Sequence, residues 1–220
     1  MPPVGNDIVD LAAPGNCGKS REGPFLDRVF TGRERLLIAR AARPDLLLWA
    51  LWGAKEAAYK AVSRDDPSVC SIPRRYPVYL EEDWETRRDD HPAGFVITPL
   101  GEMALRLVAT TDWVHALAAP AAQLERLCPG VDCPAASDDP SAFVREKLLQ
   151  AIGRRAGCGA GRLCVVKSPD GPGVPRLLFS GRPLAAEFSL SHDGRFTAFV
   201  FDPVTLLSAL DSTKNRICKS

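Results

Sequence analysis

The stretch Trp49-Ala-Leu-Trp-Gly-Ala-Lys-Glu-Ala-Ala-Tyr-Lys60 constrains this chain more than any other. Pro44 and Asp45 can open a helix ahead of it, and Asp65-Asp66-Pro67 can close it. At 3.6 residues per turn Trp52, Glu56 and Lys60 share one face, with Lys55 one position off it. That face sets a carboxylate beside two ammonium groups and aromatic bulk. Taken alone, the segment reads as an Ala-rich helix with an i,i+4 Glu-to-Lys pair, worth about 0.2–0.5 kcal/mol. Two other stretches change that reading.

The first is Val4 to Leu11, a short strand with acids at Asp7 and Asp10. Alternation puts Asp7 on the face opposite Ile8 and Asp10. An acid within a short apolar strand needs compensation for its desolvation. A metal ion supplies it, and so does a solvated strand end; this segment alone leaves both open. The second is Glu187 to Phe201, where Phe188, Leu190, Phe196, Ala198 and Val200 predict a hairpin turning at Asp193-Gly194. Ser189, Ser191 and His192 gather hydrogen-bonding groups at its tip. Neighbours on a strand face opposite sides, so Ser191 and His192 make a poor nucleophile–base pair. With no acid completing a triad and no Gly-x-Ser-x-Gly, a serine hydrolase is disfavoured.

Between these stretches the chain predicts helix over 25–42 in two pieces, with Thr31 and Glu34 forming a capping box at the start of the second. Strands follow at 77–80, 94–98, 105–110 and 113–118, and Glu81 to Pro92 reads as a solvated hairpin tip or loop. Residues 119–140, rich in Ala, Pro, Asp and Ser, read as a linker with a short helix near 121–127. A helix runs from Pro140 to about Arg155, and strands at 163–167 and 175–179 flank a turn at Ser168 to Gly173. From Pro203 onward a short helix and a frayed tail are expected.

Two glycine-rich segments imitate nucleotide motifs. Gly15-Asn-Cys-Gly-Lys-Ser20 resembles the end of a P-loop, but Ala13 stands where the first glycine belongs and Gly23-Pro24 interrupts the helix that should follow. Lys19 and Arg21 there remain candidates for a phosphate site. Gly157-Cys-Gly-Ala-Gly161 follows a helix, so it is a C-cap and not a dinucleotide fingerprint.

A net charge of +1 gives no global case for nucleic acid or an anionic membrane, so any anion site is local. No run is apolar enough to span a bilayer, and the N-terminus lacks the basic and apolar regions of a signal peptide. The 7 cysteines are irregularly spaced, with no Cys-x-x-Cys and no zinc pattern. Reduced thiols in a cytoplasmic protein are expected.

Together these stretches resemble the 4′-phosphopantetheinyl transferase superfamily. Gly5-Asn-Asp-Ile-Val-Asp10 looks like its Gly-x-Asp-Ile-Val-Glu/Asp motif, and Arg28-Val-Phe-Thr-Gly-Arg-Glu34 like its Arg-x-x-Thr-x-x-Glu segment. Trp52-Gly-Ala-Lys-Glu-Ala-Ala-Tyr-Lys60 and Phe188-Ser-Leu-Ser-His-Asp-Gly194 resemble its Trp-x-x-Lys-Glu-Ala-x-x-Lys and Phe-Ser-x-Ser-His-x-Gly motifs. Family members are small trimeric carrier-protein synthases or fused pseudodimers. The fused type carries the Ser-His half first; here the order is reversed, which requires Phe201 to lie close to Val4.

The resemblance implies an α+β pseudodimer, each half a small antiparallel sheet packed by helices. Residues 1–118 would be the catalytic half, 119–140 the linker, 141–202 the coenzyme A-binding half and 203–220 the tail, in a monomer. It implies a holo-[acyl-carrier-protein] synthase type of reaction, moving phosphopantetheine from coenzyme A to a serine of an apo acyl or peptidyl carrier protein. Asp7 and Glu56 would hold Mg²⁺, hard oxygen ligands suiting that ion. Lys55 and Lys60 would neutralise the pyrophosphate, and Glu56 or a coordinated water would take the serine proton. Ser191 and His192 would hold the 3′-phosphate, with Arg145 and Arg182 adding charge. The second acid common in the fused type is replaced by Val9, and Asp10 stays without a role. Carrier domains of this kind are acidic, so a patch including Arg28, Arg33 and Arg35 is expected to dock them. The alternative is a non-catalytic pseudoenzyme that binds coenzyme A or a carrier domain.

Overall fold

The computed structural model describes residues 3–86, 92–167 and 174–217. Strand β1 (Gly5–Asp10) leads through a loop into α1 (Gly23–Val29), α2 (Gly32–Arg40) and the long α3 (Pro44–Asp65). Four strands follow: β2 (Val78–Leu80), β3 (Gly94–Thr98), β4 (Gly101–Ala109) and β5 (Trp113–Ala119). They form one antiparallel sheet in the order β1-β5-β4-β3-β2.

Helix α3 opens as its sequence demands, with Pro44 in the first turn and Asp45 beside it, and ends at the Asp66 cap. It lies across β1 and β5. Its alanines and glycine explain how closely: a side chain at Gly5 would meet the Ala57 carbonyl oxygen at 1.9 Å, and one at Gly53 would touch the Ala116 methyl at 3.4 Å. Small residues let the helix settle onto the strand that carries Asp7. Leu46, Leu48, Trp49 and Leu51 fill the core beneath, each full burial contributing about 1.5–3 kcal/mol. The Thr31–Glu34 capping box is present at the start of α2.

A short helix α4 (Ala121–Leu124) packs back on β4 and β5, and the second body begins with β6 (Cys128–Asp132), followed by α5 (Pro140–Ala156). Then come β7 (Leu163–Lys167), β8 (Pro175–Phe179), β9 (Arg182–Leu184), β10 (Phe188–Asp193), β11 (Phe196–Phe201) and α6 (Pro203–Ile217). These strands make two antiparallel sheets, β10-β11-β6 and β7-β8-β9. Helix α5 is capped by Asp139 and ends on left-handed Gly157, the C-cap read from the sequence.

Three expectations change. The stretch read as a linker contributes an edge strand, because β6 pairs with β11. The short helix expected from Pro203 runs on to Ile217 as α6, anchored by Leu206 and Leu210, which are fully buried, and takes up most of the stretch read as a frayed tail. Trp84, inside the supposedly solvated loop, is buried in the first core beside Ala93: an indole's apolar area outweighs the charges flanking it. The turn at 168–173, the tip at 87–91 and Cys218 lie outside the described residues. Among the described residues the cysteines are free, and no helix is long and apolar enough to cross a membrane.

The two bodies meet where β1 packs against β10 and β11. Val4 shares one apolar cluster with Val200, Leu117, Leu124 and Leu127. Val200, one residue before Phe201, thus shares a cluster with Val4 at the start of the chain.

Candidate active site

Asp7 points out of β1 toward α3, where Lys60 donates to its Oδ1 at 2.6 Å and to the Asn6 carbonyl at 3.2 Å. Glu56, one turn before Lys60, lines the same cleft. The cleft holds about 300 Å³ and is walled by Phe25, Trp49 and Trp52 on one side and by His192 and Asp193 on the other. The three rings form a cluster with centroids 6.0–6.3 Å apart. Residues from both ends of the chain thus meet in one cleft.

The carboxylates are held uncomfortably. Burial pushes the Asp7 carboxyl above the usual range, against the opposing pull of the Lys60 ammonium. Burial also raises Glu56, and the charge of Asp7 raises it further. Two partly desolvated carboxylates beside one ammonium make a site that gains from a further cation. Among the described residues no group of three or more His, Cys, Asp or Glu side chains converges. A cation here would take two protein oxygens, from Asp7 and Glu56, and fill its remaining positions with water or phosphate oxygen, which fits the habits of Mg²⁺.

Lys55 is not in the cleft. It is almost fully buried, donating to Glu34 Oε1 at 2.8 Å and to the carbonyls of Tyr76 at 2.8 Å and Pro73 at 3.2 Å. Its three donors are used, so none is left for a pyrophosphate. Glu34 is equally committed: it accepts from Val78 N and closes the capping box with Thr31. The Thr-x-x-Glu and Trp-x-x-Lys segments meet here as one structural ion pair tying α2, α3 and β2 together.

Ser191 also leaves the cleft. Strand alternation puts it with Ser189 on the face of β10 that meets β1. There it accepts from Asn6 Nδ2 at 3.1 Å, while Ser189 Oγ accepts from Asn6 N at 3.2 Å. Asn6 also touches buried His115, whose imidazole is pushed down to about 3 by burial and is neutral. His192 faces the other way, with Nε2 3.5 Å from Ser141 Oγ at the start of α5. Arg145 lies one turn further along that helix, on the same face as Ser141. Arg182 opens β9, exposed on an outlying sheet that packs on α6, and is not brought to the cleft.

Asp10 has a definite partner. Arg195 donates to both its oxygens, from Nε at 2.9 Å and a terminal nitrogen at 2.8 Å, and the Asp10 carboxyl is held down to about 2. In the P-loop mimic, the Gly18 and Ser20 amides donate to Asp45 at 2.8 and 2.9 Å, so an internal carboxylate sits where a phosphate would. Lys19 is paired with Glu22. Of the expected docking arginines, Arg35 pairs with Asp27, whereas Arg28 and Arg33 are exposed and lie over the rings of Phe25 and Tyr79.

Residues 3–96 match the family model described as ACPS, 4′-phosphopantetheinyl transferase superfamily. That stretch, under half of the chain, is similar to the superfamily. No curated protein matches the chain. The superfamily's members are transferases that use coenzyme A as donor and act on carrier proteins. The matched region contains Asp7, Glu56 and Lys60 and ends before the strand that carries His192. Asp193, Asn16, Phe25 and Trp49 were not foreseen as cleft residues. Asp193 follows His192 in the motif and offered a signal, whereas Asn16 reaches the cleft from a loop and offered none.

Proposed function

We propose that the protein is a Mg²⁺-dependent 4′-phosphopantetheinyl transferase, moving phosphopantetheine from coenzyme A to a serine of an apo acyl or peptidyl carrier protein. One observation carries this reading: Glu56 and Asp7, the latter bonded to Lys60, line a single cleft with His192 from the far end of the chain. The return of the chain to Val4 supports a fused pseudodimer acting as a monomer, with its halves in reversed order.

In the transfer, the carrier serine oxygen attacks the β-phosphorus of the donor. The bond from that phosphorus to the bridging oxygen breaks, and adenosine 3′,5′-bisphosphate leaves with the bond's electrons. Glu56, or a water held beside it, would receive the serine proton. Lys60 neutralises phosphate charge beside Asp7. Mg²⁺, held by Asp7 and Glu56, would polarise the phosphoryl oxygens. His192, with Ser141 and Arg145 at the start of α5, would hold the 3′-phosphate. Lys55, Ser191 and Arg182 are left out of this assignment, since their side chains lie elsewhere. Exposed Arg28 and Arg33, beside exposed Leu36 and Leu37, offer an acidic carrier domain a basic and apolar face.

The test is incubation with coenzyme A, Mg²⁺ and a panel of apo carrier proteins, read by intact mass. A phosphopantetheine adduct that disappears with chelator and with Glu56→Ala is expected. Coenzyme A binding without an adduct on any carrier would favour the pseudoenzyme, and no binding at all would remove the reading.

A further inference from the structure

The two bodies are interlocked at one end of the cleft by an exchange of hydrogen bonds. The Asp10 carboxylate, 1% exposed as a residue, accepts from the Arg195 guanidinium and also from the Arg195 backbone N–H at 2.9 Å. Ala12 N donates to its other oxygen at 3.0 Å. In return Asp193 Oδ2 accepts the Asp10 backbone N–H at 2.8 Å and Asn16 Nδ2 at 2.9 Å. Between them Gly194 has φ +50°, and a Cβ there would lie 2.4 Å from Asp10 Oδ2. The hairpin tip rests directly on the carboxylate, with Phe196 against Trp113 at a centroid distance of 6.4 Å.

His192 is the residue before Asp193, so whatever fixes the tip also fixes the imidazole opposite Asp7 and Glu56. We propose that Arg195 is a positioning residue, whose two-pronged bond to Asp10 holds the β10–β11 tip on β1 and thereby sets the span of the cleft between His192 and the carboxylates. The kinetic consequence rests on the function proposed above. His192 would grip the donor away from the reacting phosphorus, equally in ground and transition states, so its displacement raises KM and spares kcat.

In Arg195→Ala, KM for coenzyme A is expected to rise by about tenfold or more, the loss of a charge-assisted bond, with kcat changed by less than about twofold. Guanidinium at millimolar concentration should restore part of the loss. Arg195→Lys, which keeps the charge but not the fork, should fall between, and carries the test should the alanine variant not fold. Asp112→Asn is the control: Asp112 lies 3.4 Å from the same guanidinium but outside the interlock, so KM should stay within about twofold. Hydrogen exchange on the full chain adds a readout independent of turnover. The amides of Asp10 and Arg195 should exchange about tenfold faster in Arg195→Ala, while those of α3 and α5 do not change. An unchanged KM with those amides still protected, or an equal effect from Asp112→Asn, would overturn the proposal. A wild-type protein that transfers nothing would sink the proposed function, and the exchange result would still decide the interlock.

Discussion

Lys55 and Lys60 stand five residues apart on one helix, each paired with a carboxylate, and they serve opposite ends. The Lys55–Glu34 pair has both side chains 1% exposed, and Lys55 has every donor matched. The Lys60–Asp7 pair is 32% and 14% exposed, beside Glu56 and an open cleft. The first is closed, with each donor of Lys55 already matched inside the fold. The second leaves charge unbalanced, which is what a reaction can use. Residue type does not separate the two; the number of partners around each does.

The sharpest way to break this contrast is at the open end. Glu56→Gln should lower transfer by about 10²–10⁴-fold, the usual share of a general base, measured as holo-carrier formed per minute. Turnover near that of the wild type would strip Glu56 of its role. At the closed end, Lys55→Ala leaves Glu34 buried and unpaired and should cost about 3–5 kcal/mol in urea unfolding. Lys60→Ala should cost less than Lys55→Ala, because Asp7 at 14% exposed keeps some water where Glu34 at 1% keeps none, yet slow transfer about 10²-fold. Equal stability losses for the two lysines would erase the distinction.

Asp10 and Glu56 make the same contrast in pH. The folded Asp10 carboxyl is held near 2, below its ordinary 3.8, so its contribution to stability is present above that value and lost as the pH falls toward 2. Asp10→Asn should therefore be less stable than wild type at pH 6, with the gap closing in acid. Glu56 is raised, so it favours the fold below its ordinary 4.5 and weakens it as the pH climbs through its folded value. Glu56→Gln should be the more stable protein at pH 7 and lose that advantage near pH 4. Denaturant midpoints across pH would show both; curves of one sign would refute the assignment. The smallest effect is expected at Ser191. Ser191→Ala gives up one hydrogen bond to Asn6, about 0.5–1.5 kcal/mol, and should leave coenzyme A affinity as it was. A weakened affinity, read by calorimetry, would return Ser191 to the phosphate site.

Much of the site was legible because its parts are local. Helical periodicity put Trp52, Glu56 and Lys60 on one face, and strand alternation set Asp7 apart from Ile8 and Asp10. Capping chemistry placed Thr31 and Glu34, and Gly157 marked the end of α5. Edge strand β6 and buried Trp84 were missed because a Pro- and Asp-rich segment and a charged loop carry no periodicity that reveals a distant partner.

The sequence by itself determined most of the helices and strands, which residues carry charge, and the superfamily that residues 3–96 resemble. These depend on spacing along the chain and on residue chemistry, both of which a sequence states outright. Only the tertiary structure decided what each charge does. Lys55 was claimed by Glu34 and two carbonyls, Ser191 by Asn6, Asp45 by the loop that imitates a P-loop, and Asp10 by Arg195. A polar group's role depends on the partners that reach it and on the water left around it. Those are set by the packing of α3 on β1 and of β1 on β10, across up to 185 residues of chain.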